Sequence, residues 1–253
     1  MDLSAALEAV ALGLFSGYFS GQFGIGGGLI TTPGIRLLIG APPYVALGTP
    51  LLAIIPTTAF AAAVYARKGL VAWGEAKTLA LWGLAGVVGG SFATPYISPH
   101  ALMVATAAVI LWVAAGFLTG ARREREAGSV SPRLVAAAGV VCGLYSGLLG
   151  MGGGLLLIPA LVRVLGFDLK RAFGTSLAVA TVYAVPGAFI HWLLGHVDVA
   201  IAALIVAGVL PGVWLGARVA LGMREELLRR LFGSFLLLVG LYFGLSELRF
   251  LAG

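Results

Sequence analysis

Charge is what this sequence has least of. Lys, Arg, Asp and Glu together make up 10% of its 253 residues, where a soluble domain carries about 25%. Cysteine is almost absent: Cys142 alone excludes an internal disulfide and has no second thiol for a metal site, so it is read as a packing residue. The three histidines, His100, His191 and His196, are the only groups that titrate near neutral pH; all three sit at predicted span ends and are read as interfacial. There is no metal-ligand cluster, no paired carboxylate and no nucleophile beside a base, so neither an intramembrane enzyme nor a cofactor is expected. No glycine stretch carries the Gly-Lys-Ser/Thr of a nucleotide loop.

What remains is apolar. Hydrophobic residues make up 60% of the chain and the mean hydropathy is +1.05, which places it among all-α polytopic membrane proteins. A spanning helix takes about 20 apolar residues, so ten would use roughly 200 and leave only short connections. The net charge of +6 does not point to nucleic acid, because the basic residues cluster between apolar spans. The first segment, with Asp2 and Glu8 in its flank, lacks the basic start of a cleaved signal.

One stretch stands out. Ser20-Gly21-Gln22-Phe23-Gly24-Ile25-Gly26-Gly27-Gly28 to Pro33 returns 126 residues later as Ser146-Gly147-Leu148-Leu149-Gly150-Met151-Gly152-Gly153-Gly154 to Pro159. The offset persists without a gap: Gly48-Thr49 matches Gly174-Thr175, Gly69 matches Gly195, and Gly86 and Gly90 match Gly212 and Gly216. An internal duplication follows, with repeats over 1–126 and 127–253 of about five helical segments each. In the first repeat the segments run at about Leu3 to Gly21, Leu29 to Ile39, Tyr44 to Ala66, Gly74 to Pro95 and Ala101 to Gly120. The expected membrane count is eight full crossings plus two glycine-turned hairpins, or ten crossings if the hairpin arms span.

Charge orients the repeats oppositely. Arg67, Lys68 and Lys77 mark one connection in the first repeat as cytoplasmic, while its counterpart, Gly195-His196-Val197-Asp198, has no Lys or Arg. The next connection, Tyr96 to His100, is likewise bare, and its counterpart carries Arg218, Arg224, Arg229 and Arg230. With Arg122 to Arg133 also cytoplasmic, the repeats have inverted topology, as in alternating-access transporters.

A glycine-rich interruption inside a span must be buried or line a cavity. Inverted symmetry would bring both interruptions near the midplane, where arms starting at about Gly28 and Gly154 aim helix N-termini and free N–H groups at one place. Such ends favour an anion. The binding residues expected on this reading are Gly24, Gly26, Gly27, Gly28, Gly150, Gly152, Gly153 and Gly154 through backbone. Thr49, Thr175 and Ser176 would add hydroxyls, with Thr31 and Gln22 beside the first break. The isolated Gly86, Gly90, Gly212 and Gly216 are read as helix-packing residues.

These residues resemble the TauE/SafE family of sulfite and organosulfonate permeases over essentially the whole chain. The resemblance rests on the doubled Phe23-Gly24-Ile25-Gly26-Gly27-Gly28 to Pro33 and Leu149-Gly150-Met151-Gly152-Gly153-Gly154 to Pro159, each followed by Gly48-Thr49-Pro50 or Gly174-Thr175-Ser176. It implies transport of a small sulfur-containing anion, such as sulfite, sulfoacetate or a taurine-derived sulfonate, across a prokaryotic inner membrane. Pro50 stands where the family usually has Ser, and Gly69-Leu70-Val71-Ala72 lacks the aspartate of Gly195 to Asp198. The coupling ion could be a proton or sodium, a monomer suffices although a dimer is compatible, and an anion channel is the nearest alternative.

Overall fold

The computed structural model describes residues 3–119, 131–150 and 152–252. Met151, the Arg122-to-Glu126 run and the boundary between the expected repeats lie outside the described residues. Among the described residues ten helices follow one another: α1 Leu3–Phe23, α2 Gly28–Leu37, α3 Pro43–Ala66, α4 Trp73–Ala93, α5 Pro99–Leu118, α6 Pro132–Leu149, α7 Gly154–Pro159, α8 Leu169–Leu193, α9 Val199–Gly222 and α10 Glu225–Ala252. A π turn, Ala160–Val164, extends α7. Local chemistry sets many of these starts. Proline opens α3, α5 and α6, where its missing N–H costs nothing. The side chains of Asp168 and Asp198 cap α8 and α9, accepting from Arg171 N–H at 2.9 Å and Ile201 N–H at 3.0 Å.

Seven described helices are long and apolar enough to cross a membrane: α3 to α6 and α8 to α10. The chain is therefore a multi-pass inner-membrane protein. Helix α1 matches them in length at 21 residues. Helix α2, with ten residues, and α7, with six, do not; at 1.5 Å per residue α2 covers about 15 Å, half a bilayer core. The alternative of ten full crossings fails on that length.

Helices α2 to α5 start at residues 28, 43, 73 and 99, and α7 to α10 at 154, 169, 199 and 225, each 126 later. Packing follows the same correspondence with partners exchanged. Helix α1 packs on α9 and α6 on α4, α3 lies on α8, and α5 lies on α10. The α1–α9 seam is glycine on both sides: Gly13, Gly17 and Gly21 face the backbone of Ile205, Val209 and Val213, and Gly208, Gly212 and Gly216 face Val10, Leu14 and Tyr18. The α4–α6 seam repeats this with Gly139, Gly143 and Gly147 against Leu79, Gly83 and Val87, and Gly86 and Gly90 against Val140 and Leu144. Backbones this close need small residues, since lipid supplies no hydrophobic drive to bring helices together.

The α5–α10 pair relies instead on bulk, with Phe117 and Phe232 buried in the main core. Phe232 meets Phe173 at 5.5 Å and Phe23 at 5.3 Å between ring centroids, which ties the end of α1 to the outer pair. The five tryptophans, Trp73, Trp82, Trp112, Trp192 and Trp214, are all exposed on the outer surface of the bundle.

Candidate functional site

Each break is a chain passage that only glycine can follow. Gly24, Gly26 and Gly27 have φ of 69°, 79° and 83°, and Gly150, Gly152 and Gly153 have φ of 66°, 66° and 75°, a region that side-chain-bearing residues avoid. Helices α2 and α7 begin immediately afterwards, at Gly28 and Gly154. The amides of Ile30 and Thr31 close on Gly27 O, both at 3.0 Å, and those of Leu156 and Leu157 close on Gly153 O at 3.1 and 3.0 Å. The first N–H groups of each arm therefore project from the helix end instead of joining its ladder.

The two breaks touch. A β-carbon at Gly154 would lie 2.8 Å from Ile25 C and 2.9 Å from its Cα. Gly24 sits against Phe173 on α8 and Gly150 against Leu47 on α3, positions that correspond under the repeat. Gly152 faces Ile54 and Ala180, near the middles of α3 and α8. Ser176 Oγ donates to Gly24 O at 2.8 Å, with Phe173 O at 2.9 Å, and Thr31 Oγ1 donates to Gly27 O at 3.1 Å. The expected glycines, Thr31 and Ser176 are thus gathered in one place.

Other expected residues are engaged elsewhere. Thr49 Oγ1 accepts from Asp198 N–H at 2.9 Å and Thr175 Oγ1 from Ala72 N–H at 3.0 Å, so each hydroxyl clamps the head of a helix in the other half of the chain. The Gln22 amide points at Met223 Sδ, 3.8 Å away.

No formal charge is buried at the site. Among the described residues the buried polar side chains are serines, threonines, Gln22 and His191, without Asp, Glu, Lys or Arg. The breaks differ in how they are filled. Beside Gly27, the nearest atoms to a β-carbon would be Ser20 Cβ and Thr57 Cγ2 at 3.8 Å and Ser16 O at 3.9 Å. Beside Gly153, the ring of Tyr183 stands 2.9 Å away, anchored by its hydroxyl, which donates to Leu79 O at 2.8 Å. Hydroxyl residues at the first break, Ser16, Thr31 and Thr57, correspond to Cys142, Leu157 and Tyr183 at the second. Ser20 Oγ is fully buried and has no hydrogen-bond partner.

The profile of the sulfite exporter TauE/SafE family matches residues 9–243. The chain belongs to the TauE/SafE family. That makes it a membrane transporter and not an enzyme. Relatives include a “Probable membrane transporter protein” of Xylella fastidiosa (strain 9a5c), 26% identical over 250 residues and covering 96% of both chains. YunE of Bacillus subtilis (strain 168), which carries the same description, is 24% identical, covering 86% of this chain and 88% of its own. Another so described, from Methanocaldococcus jannaschii, is 23% identical, covering 92% and 93%. No solved structure matches.

Within this TauE/SafE chain, matching contacts tie α3 and α8 to the helices that lead into the breaks. Tyr65 Oη donates to Gly21 O at 3.0 Å, and at the corresponding position His191 Nε2 meets Gly147 O at 3.0 Å. The interfacial reading of His191 is therefore corrected: its side chain is fully buried, because the last turn of α8 is covered by α6 and the α8–α9 connection. The signal was available, since the 126-residue offset pairs Tyr65 with His191. Thr181 Oγ1 and Thr58 Oγ1, 2.8 Å apart, join α8 to α3; these two are not repeat equivalents, so the offset could not have found them.

Proposed function

We propose that this chain is a secondary transporter that moves a small sulfur-containing anion, sulfite or an organosulfonate such as sulfoacetate, by alternating access between two inverted repeats, 1–126 and 127–253. The observation that carries the reading is the contact of Gly154 with Ile25, which sets two broken-helix N-termini side by side in an uncharged interior. Projecting N–H groups there favour an anion without a buried counter-ion. Gly34 on α2 lies against Leu12 on α1, in keeping with a re-entrant hairpin that turns at the first break.

The anion sits at the first break, where space and hydroxyls coincide: Gly26, Gly27 and Gly28 offer N–H groups and Ser20 offers the free hydroxyl. At the second break Tyr183 occupies the corresponding position, and Gly152, Gly153 and Gly154 act chiefly as the opposing wall. Thr49 and Thr175 hold the helices that move, and Ser176 fixes the first break from α8. One chain supplies the whole site.

The test is binding and flux. Sulfite, sulfoacetate, thiosulfate, sulfate and chloride are titrated into detergent-purified protein and thermal stability is followed, since a ligand of the folded state raises it; reconstituted vesicles are then assayed for counterflow. A shift and counterflow with a sulfur anion, lost in Gly27→Leu, support the reading. No shift with any anion sinks it, and flux without counterflow points to a channel.

A further inference from the structure

Two histidines meet at the end of α8. His191 Nδ1 and His196 Nδ1 are 3.3 Å apart, and His191 Nε2 is 3.0 Å from Gly147 O. A carbonyl only accepts, so His191 Nε2 carries a hydrogen; neutral His191 then offers Nδ1 as an acceptor, and His196 must donate from its own Nδ1. The tautomers of both rings follow from this one contact. His191 is buried and His196 half-buried, so the pair leads from an open edge to an enclosed centre. At that edge a cavity of about 550 Å³ is lined by Ala41, Pro42, Val45, Val197 and Asp198, residues that flank Tyr44 and His196.

We propose that the His196–His191 pair is a proton-binding relay that couples proton movement to transport of the anion. His196, half-buried, accepts a proton at Nε2 from its open edge and passes its Nδ1 proton to His191 Nδ1. The bond between the rings reverses, His196 is neutral again, and the charge rests on His191. One proton enters from this edge, is held on His191 while the anion is bound, and leaves on the opposite face as the cycle closes; none is consumed.

The cation then faces Gly147 O, in the last turn of α6, where the carbonyl end of the helix favours positive charge. Its bond to that carbonyl becomes charge-assisted and stronger. Gly147 is three residues before Gly150, so the proton tightens the grip on the second break, the wall that faces the anion. Coupling between the two is reciprocal: each raises the affinity for the other. Among the described residues, the other titratable groups around the pair are Tyr44 on α3, stacked on His196 at 4.7 Å, and Asp198 at the head of α9, whose carboxylate caps that helix. Helices α4 and α6 contribute the neutral Ser91 hydroxyl and the Gly147 carbonyl, 3.4 Å apart. His100 lies beyond Ile97, whose carbonyl accepts from Tyr44 Oη.

The first repeat supplies the control. Tyr65 fills the corresponding position and holds Gly21 O through a hydroxyl, so His191→Tyr has a precedent in the same molecule that keeps the carbonyl tethered and removes the proton. The inference rests on the transporter reading, and the assay separates the two. Protein in vesicles with the membrane potential clamped is given sulfite and a pH difference of one unit, with an internal pH dye recording proton movement. One proton per anion sustains about a tenfold anion gradient under these conditions. In His191→Tyr, sulfite counterflow persists while the gradient and the dye signal disappear. His196→Phe keeps the stack on Tyr44, loses the relay and gives the same result should His191→Tyr fail to fold. A wild type that exchanges sulfite but builds no gradient overturns the coupling alone, as does undiminished accumulation in both variants. A wild type that moves no sulfur anion overturns the transporter reading and the coupling with it.

Discussion

Gly154 and Ile25 lie in backbone contact across the two glycine breaks, and the conformation of Gly154 is ordinary α-helix. An alanine at 154 is thus acceptable to its own helix and forbidden only by Ile25. Gly154→Ala should cost about 1–3 kcal/mol of stability through overpacking and abolish anion binding. Gly89→Ala, in a helix with nothing within 4 Å, is the control and should be neutral or stabilising by about 0.5–1 kcal/mol. Thermal unfolding of both variants, with and without sulfite, checks this.

The clamps at Thr49 and Thr175 are unequal. Ala72 N–H is buried and loses its partner in Thr175→Val, whereas Asp198 N–H is partly open to water when Thr49→Val removes the equivalent bond. Thr175→Val should cost about 1–3 kcal/mol and Thr49→Val about 0.5–1.5. Equal losses in a detergent melt would contradict this use of burial.

Ser20 and Ser146 are repeat equivalents, both buried and both without a hydrogen-bond partner, but a β-carbon at Gly27 would meet its nearest neighbours at 3.8 Å whereas one at Gly153 would meet the Tyr183 ring at 2.9 Å. Ser20→Ala should weaken sulfite binding about tenfold, the worth of a hydrogen bond of about 1.4 kcal/mol to a charged ligand. Ser146→Ala should leave affinity near the wild-type value. Calorimetric titration of the two variants decides between a one-sided and a two-sided site.

Partial burial holds the His196 imidazole below the ordinary histidine range. The unfolded chain then binds more protons than the folded one just below about pH 6.5. The contribution of His196 to stability is complete above that pH and falls as the pH drops through it toward the folded value. Melting at pH 7.5 and 5.5 should show a smaller acid loss in His196→Phe than in wild type.

Much of the plan was legible because it is written in backbone chemistry. Gly27 and Gly153 fix where α2 and α7 start, since a positive φ demands glycine, and the constant 126-residue offset predicts every later helix start. The spacing of Gly86 and Gly90, and of Gly212 and Gly216, likewise announced a packing seam. Direction of side chains was not legible. Thr49 and Thr175 stand at the right positions for a substrate contact or for a clamp, and only the fold shows their oxygens meeting Asp198 and Ala72. His191 was misread for a related reason: a span end rich in apolar neighbours looks interfacial, and what covers it comes from α6, far away in sequence.

The exchanged packing of α1 on α9 and α6 on α4 has an ancestral consequence. A half-length protein with this plan would expose the glycine faces of its own first and fourth helices, because neither seals the other within one repeat. Only a second copy could close them, the first helix of each chain seating on the fourth of its mate. On the proposed duplication, a forerunner of half this length would have to pair to close those faces, and fusion would join two subunits already interlocked.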